Sequence, residues 1–493
     1  MAKKRQKNRS PKGLPRVPTG ISGLDEVLEG GMPKGRGILI TGSTGVGKTV
    51  FLNEFIYRGI TNYQEPGVFV TFEETPKDIM RNVEGFGWDY PSLIKQKKLA
   101  FVDFSPADEI IEEVGPDYDF EPIIHRIQYA IRSIRAKRVA IDSLFSIFSR
   151  FSNTGRIRAA VFRLFYELKK MGVTVFLSAE KVGDASEISR FGIEDYIADG
   201  VIDLKLAPGQ QRFIRQAFIR KMRGIGYRSG VVEFEINSRG LEIYPKIPIE
   251  RTIAKTDFAK RKRLGVPGID RACGGGIPQG HILLVAGNTG TGKTLLGIHF
   301  LREGFKQKEN GIYVNLEEPV EQLKKTASAY GWDLDKAEKR GELTFVSPNP
   351  IDIFNDKVLN QIVSACNRQN AKRVVIDSVS SFFSETMTSE QVRQFLLQLN
   401  TFFKREGITC LLSYLTAAQF GAGQGQLLGT LSTNEMRLSS VVDGVILLLY
   451  VERKQRVEKL MNVLKMRGAK HSRDIFQYEI NDKGIQTGDK FTG

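Results

Sequence analysis

Residues 42–49 read Gly42-Ser43-Thr44-Gly45-Val46-Gly47-Lys48-Thr49, and 245 positions on the chain reads Gly287-Asn288-Thr289-Gly290-Thr291-Gly292-Lys293-Thr294. This is one part of a longer duplication. Gly30-Gly31-Met32-Pro33-Lys34-Gly35 returns as Gly275-Gly276-Ile277-Pro278-Gln279-Gly280, and Glu73-Glu74 returns as Glu317-Glu318. Gly87-Trp88-Asp89 returns as Gly331-Trp332-Asp333, so the only two tryptophans occupy equivalent places. Ile141-Asp142-Ser143 returns as Ile376-Asp377-Ser378, and Lys221-Met222-Arg223-Gly224 returns as Lys465-Met466-Arg467-Gly468. A period of this length is domain-sized and far too long for a solenoid repeat. The chain is therefore two homologous domains in tandem. We place a basic tail, expected to be disordered, at 1–16, the first domain at 17–248, a linker at 249–262 and the second domain at 263–493.

Composition narrows the class. Hydrophobic residues make up 41% of the 493 and charged residues 26%, the mix of a globular chain. The longest strongly apolar run, Val445 to Val451, is too short to cross a membrane. Three widely spaced cysteines, Cys273, Cys366 and Cys410, form no CxxC pair, which fits a reducing cytoplasm better than a disulfide framework or a zinc site. The formal charge of +16 is partly local, in the tail and in Lys260-Arg261-Lys262-Arg263. Neither run is interleaved with aromatics, so both read as solvated charge rather than a grip on nucleic acid.

Within each half, short Val/Ile-rich runs alternate with amphipathic stretches. Strands are predicted over 37–41, 67–72, 99–104, 138–141 and 173–178, with helices over 48–58 and 157–170. That alternation predicts an α/β fold with a mainly parallel sheet flanked by helices. The last part of each half, 201–244 and 441–485, predicts appended antiparallel strands.

Both GxxxxGK[ST] segments follow an apolar strand and open an apolar-faced helix, the context in which a glycine-rich loop cradles phosphates. Lys48 and Lys293 are expected to reach the β- and γ-phosphates of ATP, and Thr49 and Thr294 to ligate Mg²⁺. Asp142 and Asp377 end apolar strands, where an aspartate can hold the magnesium shell. Glu73, Glu74, Glu317 and Glu318 follow another strand, and one of each pair could polarise an attacking water or hydroxyl. Lys221 with Arg223, and Lys465 with Arg467, each share a strand face and could meet a neighbouring subunit's γ-phosphate. The four histidines fall in no ligand spacing.

With both loops, both glutamate pairs, both IDS strands and both KMRG segments in place, the chain resembles the KaiC family of circadian-clock ATPases. The resemblance covers nearly the whole chain and implies two RecA-like P-loop domains, a homohexamer of two stacked rings, and ATP at the subunit interfaces. It also implies hydrolysis mainly in the first ring and serine autokinase and autophosphatase activity in the second. The family's two adjacent acceptors align with Ser439 and Ser440, whereas its third hydroxyl is here Asn434. A KaiB-type surface on the first ring aligns with 109–129. The family's KaiA-binding tail has no counterpart before Gly493, which leads us to expect autophosphorylation without such an activator.

The main alternative is a RecA/DnaB-like nucleic-acid-dependent ATPase, and a further one is a scaffold that nucleotide only glues together. A pore loop that grips nucleic acid needs cations. The glycine-rich segment 421–429 lies in a stretch without Lys or Arg between Arg405 and Arg437, which favours the timer or signalling switch.

Overall fold

The computed structural model describes residues 14–105, 120–143, 154–180, 198–208, 213–248, 257, 259–348, 355–382, 388–416, 438–453 and 455–491. The chain divides into two compact units, Met1–Pro245 and Lys246–Gly493.

The first unit is built on one nine-stranded sheet. Its strands are β1 Gly37–Gly42, β2 Gly67–Thr71, β3 Leu99–Asp103, β4 Arg138–Asp142, β5 Thr174–Glu180, β6 Gly200–Pro208, β7 Phe213–Met222, β8 Val231–Asn237 and β9 Gly240–Tyr244. Their order is β9-β8-β7-β6-β1-β5-β4-β2-β3. The six strands from β6 to β3 run parallel, and β7, β8 and β9 continue antiparallel from that edge. β1 and β4 are buried along their whole length, as expected of strands covered on both faces. The covering helices are α1 Lys48–Tyr63, α2 Pro76–Glu84, α3 Tyr90–Lys95, α4 Glu121–Ile134 and α5 Thr154–Lys170.

The second unit repeats this plan with β10 Ile282–Gly287, β11 Gly311–Asn315, β12 Leu343–Val346, β13 Arg373–Asp377, β14 Thr409–Leu415, β15 Gly444–Arg453, β16 Arg456–Met466, β17 Ile475–Asn481 and β18 Gly484–Lys490. Their order is β12-β11-β13-β14-β10-β15-β16-β17-β18. Even the irregularities repeat: the ladder shifts register at Val201/Ile202 and again at Val445/Ile446. Helices α6 Lys293–Lys306, α7 Val320–Ala329, α8 Leu334–Lys339, α9 Asn355–Gln369 and α10 Ser389–Glu406 cover it. The predicted α/β architecture of two RecA-like domains is thus the observed one.

Local chemistry explains the elements that frame the loops. α1 buries Phe51, Leu52, Phe55, Ile56 and Ile60, a helical stripe facing the sheet. Its first turn follows Gly47, at φ 111°, and α6 follows Gly292, at φ 90°; a side chain there would be strained in the left-handed region. At the base of β4 the fully buried Arg138 pairs with Glu65 at 2.7 Å and donates to the carbonyls of Pro18, Thr19 and Phe55. Arg373 repeats this with Glu309 at 2.8 Å and the carbonyls of Arg263 and Phe300. Gly59 and Gly304 let each guanidinium approach its helix, since a Cβ would lie within 2.5 Å of the arginine Cδ.

Three expectations shift. Strand β5 runs to Glu180, two residues past the predicted end, because Ser178 is followed by the buried Ala179 and a further ladder partner. Residues 438–441 form a helical turn, so the second antiparallel segment starts at Gly444 rather than 441. The second basic run is not a solvated linker at its end: Arg261–Lys262 pairs with Ile277–Pro278, and Lys262 bonds Glu309 beneath Arg373. Arg16 of the basic tail likewise pairs with Pro33, while 1–13 lie outside the described residues. Among the described residues no helix is long and apolar enough to cross a membrane.

The two halves also solve one problem with different residues. The Leu241 N–H at the start of β9 donates to Glu54 at 2.6 Å, and the equivalent Ile485 N–H donates to Nε2 of His299 at 3.1 Å. Burial, helped by Arg302 and Lys306, pushes the His299 imidazole down to about 4, so it stays a neutral acceptor. A histidine lowered in the folded state binds its proton more readily when unfolded. Its cost is therefore absent above pH 6.5 and grows as pH falls toward 4. We predict that the second domain loses roughly 2 kcal/mol between pH 7 and pH 5 in urea titrations. His299→Gln, which keeps an uncharged acceptor, should remove that component of the pH dependence.

Candidate functional site

Both phosphate loops sit at the carboxyl edge of the central strands β1 and β10, where ligands bind in open α/β sheets. Lys48 Nζ donates to the carbonyls of Gly42 and Ser43 at 2.9 and 3.0 Å, and Lys293 Nζ to those of Gly287 and Asn288, both at 2.9 Å. Burial lowers both ammonium pKa values. The carboxylates of Glu180, Asp142 and Glu73 oppose this at Lys48, and those of Asp377 and Glu317 at Lys293.

The loops' remaining partners come from neighbouring strand ends. Asp142 accepts from Ser178 Oγ at 2.5 Å. Asp377 accepts from Thr294 Oγ1 at 2.7 Å, from the buried Tyr313 hydroxyl at 2.6 Å, and from Ser413 Oγ. The glutamate pairs occupy the turns after β2 and β11. The Glu74 carboxylate accepts from Asn82 at 3.0 Å and its carbonyl from Thr71, while the Glu317 carboxylate accepts from Ser381 and the Glu318 carbonyl from Asn315. Desolvation, reinforced by Asp142, raises the carboxyls of Glu73 and Glu74; desolvation, reinforced by Asp377, raises that of Glu318. Loop lysine, strand-end aspartate and paired glutamates therefore act on one another electrostatically in each domain.

The basic pairs lie elsewhere. Gly42 is level with Leu204 of β6, whereas Ile38 is level with Gly200, which faces Met222 of β7. Lys221 and Arg223 flank Met222, so they sit about 13 Å along the strands from their own loop. The second domain repeats this: Gly287 is level with Leu448, but Leu283 is level with Gly444, which faces Met466. Lys221 donates to the Ala198 carbonyl at 2.7 Å, and the Arg223 N–H to that of Asp199 at 2.8 Å. Lys465 donates to the carbonyls of Ser439 and Val442 at 2.6 and 2.8 Å, and Arg467 to that of Ser440 at 3.0 Å. Ser439, half-buried, and Ser440, exposed, are thus held at the edge of the sheet opposite Lys293. Asn434 and 421–429 lie outside the described residues, as do 109–119 of the segment aligned with a KaiB surface.

A family model described as the KaiC ATPase matches residues 17–247 and again 263–490. The chain belongs to the KaiC family. It is 38% identical over 476 residues to a circadian clock oscillator protein KaiC of Thermostichus vulcanus, covering 97% of this chain and 89% of that one. It is 36% identical over 484 residues to that of Synechococcus elongatus, covering 98% and 91%, and 35% identical to that of Prochlorococcus marinus strain MIT 9313, covering 97% and 93%. KaiC membership makes this chain one of a family of ATPases, so nucleotide binding follows from it.

The site also contains residues that the motifs did not single out. Glu180 ends β5 directly opposite Gly42 and accepts from Thr44 Oγ1. The signal was a carboxylate ending a parallel strand, the same logic that singles out Asp142, but the predicted strand stopped short of it. Tyr313 is the second, standing where the first domain has Phe69. Because the fold accepts Phe at that place, Tyr313→Phe should keep the structure. It should lower second-domain stability by about 1 kcal/mol in chemical denaturation, the net worth of one buried hydrogen bond.

Proposed function

We propose that this KaiC-family chain is the protomer of a homohexameric, ATP-hydrolysing timer or signalling switch whose second domain phosphorylates and dephosphorylates its own serines. The observation that carries the reading is the placement of two half-sites on opposite edges of each sheet. A phosphate loop with its carboxylates stands at one edge, and a Lys/Arg pair about 13 Å away stands at the other. One chain cannot bring these halves together, but adjacent copies in a ring can. Ser439 and Ser440 share the edge of Lys465 and Arg467, so the acceptor is offered to a neighbour's nucleotide.

In this reading the loops 42–49 and 287–294 bind ATP through their N–H groups and through Lys48 and Lys293. Thr49 with Asp142, and Thr294 with Asp377, supply the hard oxygen donors that suit magnesium, and the hydroxyl–carboxylate pair of Thr294 and Asp377 is already assembled. Magnesium there would neutralise developing charge on the phosphates. Glu317 or Glu318 takes the proton of Ser439 or Ser440 as the serine oxygen bonds to the γ-phosphorus and the bond to ADP breaks; the raised carboxyl of Glu318 is suited to receiving that proton. Lys465 and Arg467 stabilise the transferred charge from the adjacent subunit. The reverse transfer to ADP removes the phosphate. In the first domain Glu73 or Glu74 orients water instead, with Lys221 and Arg223 supplied in trans. A KaiB-like partner on the first ring would meet the exposed Tyr129 of α4.

Lys48→Ala should abolish ring assembly and most ATP hydrolysis, whereas Lys293→Ala should leave hexamers but remove phosphoserine. Size-exclusion chromatography with Mg-ATP and phosphopeptide mass spectrometry read both, and normal hexamers from Lys48→Ala would contradict the assignment. Replacing Glu317 and Glu318 together by glutamine should slow phosphorylation of Ser439 and Ser440 by about 10²- to 10⁴-fold, the usual worth of a general base.

A further inference from the structure

The two nucleotide sites differ in charge at the register position directly opposite the start of the loop. Opposite the first residue of each phosphate loop, on the neighbouring parallel strand, the first domain carries Glu180 facing Gly42, and the second carries Leu415 facing Gly287. The strand-end aspartates and the paired glutamates are shared: Asp142 has Asp377, and Glu73 and Glu74 have Glu317 and Glu318. Asp203, which Leu447 replaces, is buried and paired with Arg220. Glu180 is held in place, because its carboxylate accepts from Thr44 Oγ1 inside the loop. Its charge is felt across the site, acting on Lys48 and on Glu73. The second loop keeps the matching hydroxyl residue, Thr289, but Leu415 offers it no charge; its N–H instead donates to Ser380 Oγ at 2.6 Å.

A phosphate loop wraps the inner phosphates, so the terminal phosphate of a triphosphate projects toward the strand ends that carry these acids. ATP brings one more negative charge there than ADP. A carboxylate fixed beside the loop therefore opposes ATP more than ADP.

We propose that Glu180 is a specificity-determining residue of the first nucleotide site, weakening its preference for ATP over ADP relative to the second site. The inference rests on the reading that both loops bind nucleotide. The first site would then exchange its nucleotide over a lower range of affinity ratios, and the two domains of one chain would respond to different ATP/ADP ratios.

The test uses the full chain carrying Lys293→Ala, so that the first loop is the site observed. Equilibrium binding of ADP and of a non-hydrolysable ATP analogue is measured by fluorescence with Mg²⁺ present. Glu180→Gln keeps the acceptor for Thr44 and removes only the charge. It should tighten the ATP analogue relative to ADP by about three- to tenfold, as expected for one unit charge acting over a few ångströms near solvent. Glu180→Asp, which keeps the charge, should stay near the parent ratio. An unchanged ratio in Glu180→Gln, or equal shifts for both nucleotides, would overturn the proposal while leaving nucleotide binding intact. Loss of hydrolysis at an unchanged ratio would make Glu180 part of the chemistry and also overturn it. A parent chain that binds neither nucleotide would overturn this proposal together with the reading it rests on.

Discussion

A guanidinium shielded from water must find its hydrogen-bond partners inside the protein, and this requirement organises each domain. Arg138 starts the strand that ends in Asp142, and it is tied to the entry segment at Pro18 and Thr19 and to the Phe55 carbonyl of the helix that begins with Lys48. The ring of Phe55 lies beneath it, 4.7 Å from the guanidinium carbon. Arg373 keeps the core of this arrangement, pairing with Glu309, donating to the carbonyls of Arg263 and Phe300 and lying 4.6 Å over the Phe300 ring. One buried cation thus fixes the strand that carries the aspartate against the helix that carries the loop lysine. The relative placement of those two groups at the other end of the sheet follows from it.

Duplication preserved this frame while letting its periphery diverge. Tyr57 stacks on Trp88 at 5.3 Å in the first domain, and in the second Arg302 lies 4.2 Å over Trp332. Glu54 and His299 hold equivalent N–H groups, one through a carboxylate oxygen and the other through a neutral ring nitrogen. Such exchanges keep the geometry because each new side chain presents the same acceptor or the same flat surface. At Glu180 and Leu415 the exchange changes the charge beside the phosphates, and there the domains cease to be equivalent.

Much of this was legible in the sequence. Glycines at fixed spacing ahead of Lys48 and Lys293 require a particular loop whatever surrounds it, and the Val/Ile runs of β4 and β13 require two-sided burial. The helical turn at 438–441 was not legible, because its carbonyls are secured by Lys465 and Arg467, some twenty-five residues later. Glu180 was missed because strand length is decided by the ladder with β1, which local pattern does not reveal. The opposed edges were hidden for a similar reason: strand order and register place the Lys/Arg pairs, and neither is written in a motif.

The account stands on the claim that each site is completed by a neighbouring copy. Mixing two kinds of chain tests it directly. One carries Lys293→Ala, with serines intact but its own second loop disabled; the other carries Ser439→Ala and Ser440→Ala, with that loop intact. After co-assembly with Mg-ATP, phosphopeptide mass spectrometry should find phosphate on Ser439 or Ser440 of the Lys293→Ala chains. Phosphate absent from those chains in mixed hexamers, under conditions where the parent protein is phosphorylated, would show that the transfer stays within one chain and would contradict the account.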